Sequence, residues 1–131
     1  MKPPASDSAH QDIKSTNKEV YDLDRAHVFH SWSAQGAITP LPIAGGLGSY
    51  FWDFDGNRFL DFSSQLVFTN IGHQHPKVIA GIKKQADLLA TIAPQHANET
   101  RSIAAQKIVA HAESHLNKVF FTNGGADAVE N

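Results

Sequence analysis

The sequence contains no cysteine, which excludes disulfides, thiolate metal sites and cysteine nucleophiles together. No apolar run approaches the roughly 20 residues that a membrane-spanning helix needs. The opening stretch, MKPPASDSAHQDIKSTNKE, lacks an apolar h-region, so no secretory signal is expected. A cytoplasmic setting without a membrane partner is the expectation. Basic clusters are missing as well. The longest basic run is Lys83-Lys84 and the net charge is -2, so nucleic acid is not an expected partner.

What remains is globular in character. Hydrophobic residues make up 41% of the 131 positions and charged residues 18%. That balance suits one ordinary domain with a buried core. Residues 1–19 are polar and read as a flexible tail. Residues 20–36 introduce Val20, Leu23, Val28, Phe29 and Trp32, with a helical turn expected from about Asp22 or Asp24. Residues 37–48 carry two prolines and three glycines and read as a loop with extended pieces.

SYFWDFDGNRFLDF sets Asp55-Gly56 between two aromatic-rich runs. Asp-Gly supplies the positive φ values of a tight turn, so a β-hairpin is expected over about 49–62. Pro76 suits the first turn of a helix, and Val78, Ile79, Ile82, Ala86 and Leu89 follow helical spacing toward Pro94. A second helix is expected from about Asn98 to Asn117, with Ile103, Ala104, Ile108 and Ala112 on one face. KVFFT then reads as a short buried strand, followed by the glycine turn Asn123-Gly124-Gly125 and a helix start. Helix, strand, turn and helix make half of an α/β unit. A strand of that kind needs a parallel neighbour. The sequence therefore reads as incomplete.

The glycine turn carries the strongest chemical signal. Gly124 and Gly125 have no Cβ, so a ligand can approach the backbone. The helix behind them offers unpaired N–H groups and the positive end of its dipole, which suits a phosphate. A plain connector between strand and helix has the same pattern. It is neither a dinucleotide fingerprint nor a Walker A loop.

Eight histidines raise the question of metal. His111 and His115 are four apart, which would place both on one helical face, and His73 and His75 form another pair. Two ligands do not complete a tetrahedral site, so no metal is assigned. At a helix C-terminus His111 and His115 read as surface residues. Asp61, Ser63 and Ser64 invite a Ser-His-Asp triad on paper, but no G-x-S-x-G elbow is present.

FHSWSAQG, DGNRFLDFSS, NIGHQHPKVIAGIKKQ and KVFFTNGGADAVEN occur in an order and spacing that resembles the class III pyridoxal 5'-phosphate (PLP) aminotransferases of the ω-amino acid/pyruvate type. The resemblance covers nearly everything after about residue 20. It implies an α/β fold, the N-terminal part of the fold-type-I PLP transferases. Residues 20–75 would then hold the hairpin-bearing segment of the small domain, and 76–131 the start of the PLP-binding large domain. The resemblance puts Gly124, Gly125, Ala126 and Asp127 at the PLP phosphate, with the backbone N–H groups of Gly125 and Ala126 meeting it. Where the family often has Ser, Ala126 supplies no hydroxyl. Trp32, Val67 and Phe68 fall where substrate-lining residues lie, although ordinary core packing explains each of them equally.

The implied reaction moves an amino group between an amine or amino acid and a keto acid such as pyruvate, in a homodimer. PLP serves as an electron sink. The family's PLP-attaching lysine and its ring-nitrogen carboxylate lie beyond Asn131, and none of the eight lysines here matches that position. No catalytic residue is therefore assigned, and the chain alone is expected to be inactive. The competing readings are a non-catalytic truncated product, an interaction module, a His-based metal module, or an aminomutase, racemase or decarboxylase on the same scaffold.

Overall fold

A computed structural model describes residues 15–131; the expected tail over 1–14 lies outside the described residues. The chain divides into two units, one ending at Lys83 and one running from Lys84 to Asn131.

In the first unit, α1 (Asn17–His27) begins earlier than Asp22, among residues that composition groups with the polar tail. A capping box explains the start. The Thr16 side chain accepts from the Glu19 amide, and the Glu19 carboxylate accepts from the Thr16 amide at 2.8 Å. The loop after α1 is tied down by His30 Nε2 against Asp24 Oδ2 at 2.7 Å and by Arg25 donating to the Gln35 carbonyl.

A three-stranded antiparallel sheet follows, in the order β1 (Gly45–Leu47), β2 (Tyr50–Trp52), β3 (Arg58–Leu60). The β2–β3 hairpin matches the sequence expectation. Phe51 pairs with Phe59 and their rings stack at 5.4 Å. β1 replaces the end of the expected loop. Its glycines permit this, because a Cβ at Gly45 would lie 2.9 Å from the Trp52 indole and one at Gly46 3.0 Å from the His73 ring. Side chains at those positions would push the strand off its neighbours.

The turn between β2 and β3 spans 53–57 and is organised by one carboxylate. Asp53 Oδ1 accepts from the amides of Asp55 (3.0 Å) and Asn57 (2.8 Å). Asp53 Oδ2 accepts from the side chains of Asn57 (2.8 Å) and Asn17 (3.2 Å). Asn17 also donates to Asp55 and accepts from the Phe54 amide, which joins the start of α1 to the turn. Gly56 supplies the positive φ, 83°.

The next element, α2 (Ser64–Val67), is left-handed. Its four residues have φ of 49°, 49°, 58° and 70°, and none is glycine. Each such residue costs about 1–2 kcal/mol relative to right-handed backbone. α3 (Pro76–Leu88) opens at the proline, as the sequence predicts. His75 caps it, its carbonyl accepting from Val78 and Ile79.

In the second unit, α4 (Glu99–Val109) starts at the expected cap, where the Asn98 side chain accepts from the Arg101 amide. It ends well before Asn117. The amides of His111 and Ala112 bond back three residues, to Ile108 and Val109, and tighten the chain into turns. His111 and His115 therefore do not share a helical face. Ile103 and Ile108 stay exposed, while Ala104, Ala105 and Val109 are half-buried. α5 (Gly125–Glu130) closes the described chain.

Two expectations fail. Lys118–Thr122 is not a strand. A strand is defined by its ladder, and the unit from Lys84 onward contains no other strand to pair with. Nor is there a hydrophobic core among the described residues: no apolar side chain is buried, and Asp53, 4% exposed, is the buried residue. Strands of three residues cover too little for a second layer to close over them.

The two interior carboxylates make the first unit acid-sensitive. Hydrogen bonds from Asn57 hold the Asp53 carboxyl below its usual range, outweighing its burial. Burial pushes Asp61 up, but bonds from His73 and Gln65 outweigh it and leave that carboxyl lowered too. A depressed carboxyl stabilises the folded state above its unfolded pKa, and that stabilisation is lost as pH falls through the folded value. Hairpin amide protection should therefore fall away below about pH 4. Hydrogen exchange across a pH series checks this, and protection that persists unchanged to pH 2 would contradict it.

Candidate functional site

The glycine turn sits at the start of α5. Gly124 is the N-cap, in extended conformation, and its carbonyl accepts from Ala128 at 3.0 Å. The Thr122 hydroxyl donates to the same carbonyl at 3.2 Å. The amides of Gly125, Ala126 and Asp127 have no acceptor among the described residues. They are the open donors that any helix leaves in its first turn. A Cβ at Gly125 would meet nothing within 4 Å, and one at Gly124 only Asp127 Oδ2 at 3.6 Å. Asp127, in the first turn, brings a negative charge that favours the helix and opposes an anion beside it.

The chemistry of this cradle fits a phosphate. Ala126 contributes only its amide, so the donors are backbone groups. Lys77, Lys83, Lys84, Lys107 and Lys118 are all exposed. Among the described residues no three His, Cys, Asp or Glu side chains gather around a point. His115 instead lies 3.6 Å from Glu113, both exposed.

The other expected site residues lie in the first unit. Trp32 is fully exposed and has a φ of 61°. Val67 ends α2 and Phe68 caps it, with 82% and 76% of their surfaces open.

Sequence reasoning passed over the pair beneath α2. His73 Nε2 meets Asp61 Oδ2 at 2.7 Å, and the Asp61 side chain is 3% exposed. Asp61 Oδ1 also accepts from the Gln65 amide and the Ser63 hydroxyl. The backbone of His73 bonds in both directions to Gly48. The only sequence sign was a histidine twelve residues after an aspartate.

The chain is 34% identical over 91 residues to the acetylornithine aminotransferase of Methanopyrus kandleri, covering 70% of this chain and 23% of that one. It is 41% identical over 90 residues to a probable 4-aminobutyrate aminotransferase of Bacillus subtilis, covering 66% and 20%. Among solved structures it resembles the taurine:2-oxoglutarate aminotransferase of Bifidobacterium kashiwanohense, solved with PLP and glutamate. The TM-score is 0.83 and the identity 43%, over 89% of this chain and 26% of that one. An S-selective transaminase from Arthrobacter with alanine bound gives a TM-score of 0.79 at 31% identity, over 89% and 26%. The fold is thus a portion of the fold-type-I transferase fold, and the chain spans about a quarter of the length of these relatives. The sequence model of "Aminotransferase class-III" matches residues 32–131, taking in the hairpin, α2 to α4 and the glycine turn; the chain belongs to the class-III aminotransferase family.

Proposed function

We propose that this segment supplies the phosphate cradle and part of the substrate wall of a PLP-dependent transaminase. One observation carries the reading: among the described residues three adjacent amides, at Gly125, Ala126 and Asp127, lack acceptors, and a Cβ at Gly125 would meet nothing within 4 Å. When bound, PLP supplies an electron sink for breaking a bond at the amine-bearing carbon. The residues here hold its phosphate and orient it, and Trp32, Val67 and Phe68 offer apolar surface to the substrate. Proton transfer belongs to a lysine outside this segment.

The reaction moves an amino group from an amine or amino acid to a keto acid such as pyruvate, in a cytoplasmic homodimer. Alanine, the amino form of pyruvate, occupies the Arthrobacter relative, which supports that acceptor. Glutamate, the amino form of 2-oxoglutarate, occupies the Bifidobacterium relative and favours a second reading, in which 2-oxoglutarate is the acceptor.

The test is borohydride reduction of the native protein with PLP, followed by peptide mapping. We expect the label on a lysine beyond Asn131 and none on this segment. Amino transfer to pyruvate and to 2-oxoglutarate then separates the two acceptors. Label on Lys107 or Lys118, or no label at all, would overturn the reading.

A further inference from the structure

Four successive non-glycine residues in left-handed conformation do not persist unless something outside them imposes it. In α2 that something is visible. Asp61 lies three residues before the turn, and its carboxylate holds the Gln65 amide at 3.2 Å. The other carboxylate oxygen holds His73 Nε2 at 2.7 Å. His73 is anchored in turn. Its amide donates to the Gly48 carbonyl at 2.8 Å, its carbonyl accepts from Gly48, and its ring meets Phe51 edge-on. Gly72 fits beside it because a Cβ there would lie 3.1 Å from the Gly48 backbone. The sheet thus grips His73, His73 grips Asp61, and Asp61 grips the turn. The result is outward display: Leu66, Val67 and Phe68 are 84%, 82% and 76% exposed.

We infer that Asp61 and His73 are a positioning pair that locks α2 in its left-handed form and so fixes where Leu66, Val67 and Phe68 present their side chains. Neither residue touches substrate in this scheme. The consequence for substrate rests on the reading of Val67 and Phe68 as active-site wall; the lock itself does not.

The lock is tested on the 131-residue chain by amide hydrogen exchange at Val67 and Thr69, whose N–H groups bond within the turn to Ser63 and Ser64. Asp61→Ala should accelerate both by about tenfold or more. Asp61→Asn, which keeps one acceptor, should fall between. His73→Gln should act in the same direction as Asp61→Ala. The decisive variant adds Gln65→Gly to Asp61→Ala. Glycine adopts positive φ without strain, so this double variant should recover most of the protection, whereas Gln65→Ala should not. Reference amides in α1 and β2 separate the lock from general unfolding. If they accelerate as much as Val67 and Thr69, or if Gln65→Gly rescues nothing, the inference fails. Val67→Ala in a PLP-loaded protein containing this segment tests the wall separately. Unchanged donor preference there would sink the wall reading and leave the lock standing.

Discussion

Replacing Asp53 by alanine is expected to release the hairpin turn and the first turn of α1 together. Four donors converge on that carboxylate: two backbone amides, from Asp55 and Asn57, and two side-chain amides, from Asn57 and Asn17. Alanine takes the acceptor from the Asp55 and Asn57 amides and the Asn57 side chain, and leaves Asn17 with only its bonds to Asp55 and the Phe54 amide. A part-buried donor that loses its partner costs more than a pair removed together. Among the described residues no hydrophobic core stands behind the turn to compensate, and Asp53 is itself the buried one. Amide exchange at Phe54 and Asn57 should rise by about a hundredfold, and Val20 in α1 should follow. Asp53→Asn keeps one oxygen and should do less. Asn17→Ala should free α1 while leaving the turn's own bonds in place. A chain in which Asp53→Ala loosens the turn but leaves Val20 fully protected would refute the link between them.

That link shows what the sequence makes legible. Asp55-Gly56 between aromatic runs announces a hairpin, and the strands form on either side of it. The turn is longer than a two-residue loop because Asp53 wraps the chain around its own carboxylate. Thr16-x-x-Glu19 is a capping box in plain view, yet the polar residues around it read as tail. β1 carries no strand signal of its own: Gly45 and Gly46 become strand because Trp52 and Phe51 pair with them. Val119, Phe120 and Phe121 fail in the opposite sense. They have strand composition but no partner, and composition does not supply a ladder.

The same division runs through the candidate site. The glycine turn was readable, because small residues before a helix start describe their own local geometry. α2 was not. Nothing in Ser64, Gln65, Leu66 or Val67 favours positive φ, and valine opposes it. Its conformation comes from Asp61 and from His73, twelve residues apart in sequence and joined only by folding. Local chemistry is written locally; a conformation imposed against propensity is written in the residues that impose it.

The second large effect concerns Gly125. In a protein that joins this segment to the remaining length of the family, Gly125→Leu is expected to weaken PLP binding by about 10²–10³-fold. The open amides of Gly125, Ala126 and Asp127 offer a phosphate three charge-assisted bonds, each worth roughly 1.5–3 kcal/mol. A Cβ at Gly125 would meet no described atom within 4 Å. The start of a leucine side chain therefore adds no clash there. Thermal stability of the 131-residue chain should shift by no more than about 1 kcal/mol, because leucine suits a helix better than glycine. Gly125→Ala, which adds one methyl to open space, should weaken binding far less. The measurement is a PLP titration of each variant alongside its melting curve. Loss of affinity without loss of stability assigns the open space to the ligand. Parent-like affinity in Gly125→Leu would mean that the phosphate lies elsewhere and that the glycines serve only to connect one element to the next.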